Sequence, residues 1–347
     1  MKGWILHGAN NLELKELEIP EIKDNNKVKV KLTKSMITIE DVLRYTGETK
    51  VNNVVLGSAG IGILADDNKD NSLFSNQDDP NKLPRVYVNP YKPCNECYTC
   101  KSNSKSKCSD LNIAGEDYNG FLREFVYPDS SQVFPIPDSI SDKDALLIET
   151  VSLALSTIDR LNIQKGEHVV IIGADTLGIT LAQILKYYQS IPIIIDNDAQ
   201  KIQLASDCGI YYALTKEKDW MKEVTEITGG RMANHVVYLQ QSKIPVKMAF
   251  QLAGYGIPVA IIGETASTSQ ISFTLALKKE LKLEFISNGY GNTLSSINLI
   301  ANKAIDFSKI NVATTSFEKC GEKFEELSNK LENDLPIYNV IVDMVGL

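Results

Sequence analysis

The pattern of apolar and polar positions divides the chain into two parts. Up to about residue 155, short segments such as 27–32 and 85–88 alternate apolar and polar residues with period two, and turns separate them. This period predicts half-buried β-strands, so we expect the first part to be rich in β-structure. A polar stretch over 66–84 predicts a long loop. Ser141 is predicted to cap a helix that begins directly after it.

From about residue 165 onward, short apolar segments alternate with segments of helical periodicity. The predicted strands are 168–173, 191–196, 211–214, 235–239, 257–263 and 282–287, and the predicted helices are 177–188, 200–205, 217–228 and 243–253. Apolar strands that are covered by helices form a doubly wound parallel sheet. The end of the chain predicts helices near 293–305 and 317–332 and a strand at 337–342. The fold class is therefore α/β.

Length and charge narrow the class of protein. A chain of 347 residues suggests two domains. The net charge of −8 and the pI near 5.1 argue against a nucleic-acid partner. The first residues soon turn polar, unlike a signal peptide, and the apolar segments are too short to cross a bilayer, so we expect no membrane partner. The cysteine content fits a reducing, cytoplasmic location.

Four of the six cysteines lie within a segment of fifteen residues, 94–108. They are Cys94, Cys97, Cys100 and Cys108. Four thiolates suit a closed tetrahedral zinc site with no open position for a substrate. The alternative is a pair of disulfides, but two-residue spacing makes strained bridges. We therefore predict one structural zinc ion per chain.

A possible dinucleotide site follows the first strand of the second part, where the sequence is Gly173-Ala174-Asp175-Thr176-Leu177-Gly178. This is the place of the G-x-G-x-x-G fingerprint, in which the helix N-terminus receives a pyrophosphate. Gly173 permits the tight turn, and Gly178 lets the helix pack on the sheet. Asp175 replaces the middle glycine, and its carboxylate would repel the pyrophosphate. The turn thus predicts the fold, but only weak NAD binding.

Asp196 ends the second strand of this part, about twenty residues after the turn. An acidic residue there accepts hydrogen bonds from the ribose hydroxyls of NAD and repels the 2′-phosphate of NADP. The alternative role is to cap the next helix, which Asp198 could do equally well. If a nicotinamide cofactor binds, we expect NAD.

These features together resemble the zinc-containing medium-chain dehydrogenase/reductase family of the alcohol dehydrogenase type. Besides the cysteine segment and the order of strands and helices, four short segments carry the resemblance. They are Val88-Asn89-Pro90, Gly120-Phe121-Leu122-Arg123-Glu124-Phe125-Val126, Lys165-Gly166-Glu167-His168-Val169-Val170 and Ser287-Asn288-Gly289-Tyr290-Gly291.

The resemblance implies a domain organisation. A GroES-like catalytic domain would cover residues 1–155 and include the structural-zinc lobe at 94–108. A Rossmann cofactor domain would cover 156–290, and residues 291–347 would complete the catalytic domain. The active site would lie between the two domains. The resemblance also implies a homodimer or tetramer that pairs through strand 282–287, and a small-molecule ligand.

The chain departs from the family where the family binds a catalytic zinc. The family's Cys-Gly-Ser/Thr-Asp-x-His segment aligns with residues 38–43, so that Thr38 replaces the cysteine and Leu43 the histidine. The Gly-His-Glu motif aligns with residues 57–59, so that Ser58 replaces its histidine and Ala59 its glutamate. Glu149 alone keeps an acidic side chain at a position where some members place a ligand. These replacements predict that the catalytic zinc is absent.

Two functions remain open at this stage. The sequence favours an alcohol dehydrogenase-like homologue with structural zinc only, which is not a zinc-dependent alcohol dehydrogenase and has no catalytic activity. The alternative is a zinc-independent, NAD(H)-dependent reductase or dehydrogenase for a small carbonyl or alcohol. In that enzyme Thr38, Glu40, Ser58 and Glu149 would line the active site, and Glu149 would act as an acid.

Overall fold

The computed structural model describes residues 1–20, 26–65, 83–263, 273–310, 312–333 and 339–344. Most of the loop predicted over 66–84 and the start of the strand predicted at 337–342 lie outside these residues. The chain divides into two compact units. The first comprises Met1–Glu149 and Asn311–Leu347, and the second comprises Thr150–Ile310.

Eighteen strands are present among the described residues. They are β1 (Lys2–Gly8), β2 (Asn11–Glu16), β3 (Val30–Ile37), β4 (Val54–Val55), β5 (Ala59–Leu64), β6 (Arg85–Val88), β7 (Tyr91–Lys92), β8 (Asn112–Ile113), β9 (Phe125–Val126), β10 (Val133–Pro135), β11 (His168–Ile172), β12 (Ile191–Ile195), β13 (Tyr212–Leu214), β14 (His235–Leu239), β15 (Pro258–Ile262), β16 (Lys282–Ile286), β17 (Ala313–Ser316) and β18 (Val340–Asp343).

The same residues contain eleven α-helices. They are α1 (Ile39–Thr46), α2 (Tyr98–Lys101), α3 (Asp142–Ala145), α4 (Ile148–Leu161), α5 (Thr176–Tyr187), α6 (Ala199–Asp207), α7 (Trp220–Ile227), α8 (Lys247–Leu252), α9 (Phe273–Lys278), α10 (Thr293–Ala301) and α11 (Cys320–Glu332). Every described helix is too short or too polar to cross a membrane.

The first unit is built on antiparallel strands. Its main sheet has the order β10-β6-β5-β3-β18-β17, with β9 paired to β3, and a smaller sheet has the order β2-β1-β4. Val28, Val30 and Leu32 all point into the core, as their alternation predicts. Ser141 caps α3 and accepts a hydrogen bond from the Asp144 amide at 3.1 Å, which confirms the predicted helix start.

The second unit is a parallel sheet with helices between its strands. The strand order is β13-β12-β11-β14-β15-β16, and every neighbouring pair is parallel. The apolar strands predicted from the sequence occur within one or two residues of their predicted positions, and β14 matches its prediction. The predicted fold class, a β-rich GroES-like part together with a Rossmann-type parallel sheet, is confirmed.

The boundaries of the two units differ from the predicted domain boundaries near residues 155 and 290. The second unit runs on to Ile310 and so contains α10. Hydrogen bonds join α10 and the segment after it to other parts of the second unit. The Ser296 hydroxyl lies 2.9 Å from that of Ser152, and the Asp306 amide donates to Gln183 at 2.8 Å. The motif pattern gave no sign of these contacts, which join residues more than a hundred positions apart in the sequence.

Candidate functional site

The four clustered cysteines have the geometry of a tetrahedral metal site. Their sulfur atoms all lie within 4.8 Å of one another. The pairs Cys94–Cys100, Cys97–Cys108 and Cys94–Cys108 are separated by 3.9, 3.8 and 3.5 Å. At a zinc–sulfur distance of about 2.3 Å, sulfurs at the corners of a tetrahedron lie about 3.8 Å apart. The cluster therefore fits a structural zinc ion.

Backbone amides support the same site. The Cys97 amide donates to the Cys94 sulfur at 3.3 Å, and the Cys94 amide donates to the Cys108 sulfur at 3.4 Å. Asn95 and Asn103 adopt left-handed backbone angles, with φ of 60° at both, which turn the loop back on itself. Among the described residues, one group of three or more Cys, His, Asp or Glu side chains is placed to hold a metal, and it consists of these four cysteines.

The pKa values of two thiols in the cluster, Cys97 and Cys100, are shifted in opposite directions. Hydrogen bonding from Thr99, and then from the amides of Cys100 and Ser109, lowers the pKa of Cys97 to about 5. Burial raises the pKa of Cys100 to about 12. A bound zinc ion favours the thiolate of every ligand, because the charge of the metal outweighs the desolvation of a single sulfur.

A second candidate site lies in the first unit, where the ends of three neighbouring strands of the main sheet meet. β5 is antiparallel to both β3 and β6, with Met36 opposite Ala59 and Gly60 opposite Val88. The end of β3, the start of β5 and the end of β6 therefore lie side by side at the same end of the sheet. This topology brings Thr38, Ser58 and the segment after β6 together, as the resemblance implies.

Asp41 joins two of these segments. Its carboxylate accepts hydrogen bonds from the Thr38 amide at 3.0 Å and the Thr38 hydroxyl at 3.2 Å, and from the Gly57 amide at 2.9 Å. The Thr38 hydroxyl is therefore engaged inside the protein. Thr38 and Ser58 are both partly buried, whereas Leu43 and Ala59, the other positions at which the sequence predicts a replacement, are buried.

A buried arginine completes this arrangement. The Arg44 side chain has no exposed surface and lies 3.8 Å from the Asp41 carboxylate and 2.9 Å from that of Glu116. Burial raises the pKa of Asp41, while the positive charge of Arg44 opposes that rise. Burial also raises the pKa of the neighbouring Glu40, although the side chain keeps some accessible surface. The carboxylates of Asp41 and Glu116 thus share the buried guanidinium of Arg44.

Glu149 is held by a tyrosine. The Tyr91 hydroxyl donates a hydrogen bond to Glu149 Oε1 at 2.5 Å. Tyr91 is nearly buried, and its amide donates to Asn89 Oδ1 at 2.9 Å. The sequence reasoning missed Tyr91, Asp41 and Arg44. For Asp41 a signal existed, since a threonine followed three residues later by an acidic residue is typical of a helix N-terminus. For the Tyr91 contact there was none.

The glycine-rich turn of the second unit has the predicted shape. Gly173 has a φ of +115°, which an L-residue rarely adopts. A Cβ atom on Gly178 would lie 2.1 Å from the Gly173 carbonyl oxygen, so only glycine fits there. The two glycines therefore have the structural roles that the fingerprint assigns to them.

Asp175 caps the helix that begins at this turn. Its carboxylate accepts a hydrogen bond from the Gly178 amide at 2.9 Å, at the N-terminus of α5. Burial raises the pKa of Asp175, and the nearby charge of Asp196 adds to the rise; the Gly178 bond, Lys201 and the Leu177 amide oppose it. A carboxylate thus occupies the position at which a helix N-terminus would attract a phosphate.

Asp196 and Asp198 have separate roles. Asp198 caps α6 and accepts from the Gln200 amide at 2.8 Å. Asp196 accepts from the Ala174 amide at 2.8 Å and from the Asp198 amide at 2.9 Å. Its carboxylate therefore faces the glycine-rich turn rather than serving as the helix cap. Each carboxylate oxygen has two lone pairs, so Asp196 can accept a further bond from a ribose hydroxyl.

The three histidines are engaged in other contacts. His7 Nδ1 lies 2.9 Å from the Asn53 side-chain oxygen. His235 Nε2 lies 2.8 Å from Glu167. His168 begins β11, and burial lowers its pKa.

Comparison with known proteins agrees with the fold. Residues 24–138 match the alcohol dehydrogenase GroES-like domain. An uncharacterized zinc-type alcohol dehydrogenase-like protein of Haemophilus influenzae is 27% identical over 340 residues, covering 97% of this chain and 98% of its own.

Solved structures show the same fold at lower identity. A short chain alcohol dehydrogenase (rspB) from E. coli CFT073 in complex with NADH superposes with a TM-score of 0.83 at 20% identity and covers 99% of both chains. A putative zinc-binding dehydrogenase from Sinorhizobium meliloti bound to NADP has the same TM-score, identity and coverage.

The chain therefore contains an alcohol dehydrogenase GroES-like domain, and over nearly its whole length it is similar to a zinc-type alcohol dehydrogenase-like protein. Its homologues are zinc-type alcohol dehydrogenase-like proteins. The resemblance predicted from the sequence is confirmed.

Proposed function

We propose that this protein is an alcohol dehydrogenase-like homologue that holds one structural zinc ion at its four cysteines and has no catalytic zinc. The observation that carries the proposal is the bonding around Thr38. The hydroxyl that replaces the family's cysteine ligand is engaged with Asp41, and Asp41 is paired with the buried Arg44. A neutral hydroxyl that donates its proton to a carboxylate is a poor ligand for Zn²⁺.

The cofactor turn supports a protein with little or no catalytic activity. Asp175 places a carboxylate on the helix N-terminus that would receive the pyrophosphate. We infer that NAD binds weakly and that NADP binds still more weakly, because Asp196 also faces this turn. The E. coli and S. meliloti structures hold NADH and NADP respectively. The fold thus accommodates dinucleotides, and Asp175 is the feature that opposes them here.

A second candidate function is a zinc-independent, NAD(H)-dependent reductase for a small carbonyl or alcohol. The hydrogen bond between Tyr91 and Glu149 favours it. This bond places an exchangeable proton beside the one acidic side chain that stands at a family ligand position. Glu40 and Ser58 would then help to bind the substrate.

We expect metal analysis of the purified protein to give one zinc ion per chain. We also expect the protein not to oxidise ethanol or 2-propanol with NAD, because the proposed protein has no catalytic zinc to stabilise the alkoxide. The variant combining Thr38→Cys and Ser58→His should bind a second zinc ion. Two zinc ions in the unmodified protein, or alcohol oxidation that a chelator abolishes while the four-cysteine site stays loaded, would contradict the proposal.

We further propose that the protein is a homodimer or tetramer. β16 is the last strand of the parallel sheet and pairs with β15 on one side. Phe285 on this strand is 59% exposed. An apolar edge strand needs cover, and a second copy of the same strand supplies it.

The substitution Phe285→Lys is expected to halve the mass that light scattering measures at micromolar concentration. A lysine on each copy would place two positive charges together at the edge. Leu294→Lys is the matched control, because Leu294 is similarly exposed but lies on α10 and not on the edge strand. A monomeric wild type, or a variant of unchanged mass, would contradict the assignment.

We place the protein in the cytoplasm. Six cysteines are free thiols in the structure, four of them in a metal-binding arrangement, which suits a reducing compartment.

A further inference from the structure

The Thr99 hydroxyl connects two parts of the cysteine segment. Its Oγ1 atom lies 3.1 Å from the Cys97 sulfur and 3.0 Å from the Lys107 carbonyl oxygen. Lys107 directly precedes Cys108, whose sulfur lies 3.8 Å from that of Cys97. One threonine side chain thus bridges the backbone next to one cysteine and the sulfur of another, although these two cysteines are eleven residues apart in the sequence.

The loop that Thr99 closes also holds the backbone of Thr99. Its carbonyl oxygen accepts hydrogen bonds from the Ser104 amide at 2.8 Å and from the Ser102 hydroxyl at 3.2 Å. The Lys107 amide in turn donates to the Ser104 carbonyl oxygen at 3.0 Å. The hydroxyl of Thr99 is therefore fixed relative to the Cys97 sulfur by bonds on both sides of the loop, which is the support that a site needs to keep its geometry.

A single hydroxyl proton cannot serve both contacts of Thr99. When Cys97 is a thiol, its sulfur can donate to Thr99, and Thr99 can donate to the Lys107 carbonyl oxygen. A cysteine that binds zinc is a thiolate, which has no proton and can only accept. A hydrogen bond to an ionised acceptor is stronger than one to a neutral carbonyl. The proton of Thr99 therefore belongs on the sulfur when the metal is bound.

We propose that Thr99 is a positioning residue of the structural zinc site and that its hydroxyl donates a hydrogen bond to the zinc-bound thiolate of Cys97. The proposal rests on the structural zinc of the proposed function. Four thiolates carry more negative charge than one Zn²⁺ ion neutralises, and donors that point at the sulfurs spread the excess. The amides of Cys100 and Ser109 donate to the same sulfur, so these donors concentrate on Cys97.

Competition for zinc between the full-length protein and a chromophoric chelator measures the contribution of Thr99. Thr99→Val keeps the branched shape but lacks the hydroxyl, and it should bind zinc about tenfold more weakly than the wild type, the effect of losing one outer-shell partner of a metal ligand. Thr99→Ser keeps the hydroxyl and should bind zinc like the wild type. Ser102→Ala is the matched control and should also keep its affinity, because it removes a hydroxyl of the same loop that donates to a carbonyl oxygen.

The protein loaded with cobalt instead of zinc gives a readout that a looser loop would not change. Cobalt bound to thiolates has a sulfur-to-metal charge-transfer band, and a thiolate that loses a hydrogen-bond donor gives up an electron more readily. Thr99→Val should therefore shift this band to longer wavelength. Thr99→Ser and Ser102→Ala should leave the band where it is in the wild type.

The possible failures of this proposal can be told apart. Equal zinc affinity in the wild type and Thr99→Val would overturn the role of Thr99. Weaker binding by Thr99→Val with an unchanged charge-transfer band would overturn it too, because Thr99 would then act on the loop and not on the sulfur. A wild-type protein without zinc would overturn the structural-zinc proposal as well, and metal analysis alone detects that outcome.

Discussion

Replacing Cys100 with serine is expected to release the zinc ion and to lower the midpoint of thermal unfolding by about 10 °C. Cys100 is the most buried of the four ligands. A structural zinc contributes folding free energy directly, on the order of 10 kcal/mol in small domains. A loss of only about 3 kcal/mol of this folding free energy, in a unit of this size, corresponds to a shift of about 10 °C in the midpoint of thermal unfolding. Differential scanning calorimetry combined with metal analysis measures both effects.

Cys208→Ser is the matched control for that experiment. Cys208 is a half-buried cysteine at the end of α6, outside the cluster. We expect this variant to keep its zinc and to unfold within about 2 °C of the wild type, because the substitution of a partly exposed residue changes stability little. A Cys100→Ser variant that retains one zinc ion per chain and an unchanged midpoint would show that these cysteines do not hold the metal.

The substitution Asp175→Gly is expected to tighten NADH binding roughly 10- to 100-fold. Two unit charges about 5 Å apart interact with about 3 kcal/mol at an effective dielectric constant near 20, and solvent screening reduces this value at a half-buried carboxylate. Glycine also lets the backbone approach the pyrophosphate. The cost to the fold is small, because glycine is tolerated at a helix N-cap. Isothermal titration calorimetry measures the change.

The substitution Asp175→Asn separates the effect of the carboxylate charge on NADH binding from the effect of the side-chain volume. Asparagine keeps the helix cap and nearly the same volume, and it removes only the charge. We expect it to tighten NADH binding by less than glycine does. Because burial raises the pKa of Asp175, protonation should also relieve the repulsion. The wild type should then bind NADH more tightly as the pH falls towards that pKa, and Asp175→Gly should lose this dependence. Low-micromolar binding to the wild type at neutral pH would contradict the repulsion argument.

Local patterns in the sequence determined much of the fold and two of the sites. The zinc site could be predicted because its ligands lie within fifteen residues and the spacing alone limits their geometry. The turn at Gly173 could be predicted because it joins a strand and a helix that are adjacent in the sequence. The sequence predicted that Asp175 stands at the middle-glycine position of this turn, and the structure added that its carboxylate caps α5 by accepting a hydrogen bond from the Gly178 amide.

Contacts between distant parts of the chain were decided only by the tertiary structure. Arg44 pairs with Glu116, which lies 72 residues away, and Tyr91 pairs with Glu149, which lies 58 residues away. The periodicity of each segment fixes which face is buried, but not which side chain of another segment meets it. The sequence therefore predicted which of the family's ligand positions carry other residues. The tertiary structure showed the contacts near those positions: the Asp41 carboxylate lies beside the buried Arg44, and Glu149 is hydrogen-bonded to Tyr91.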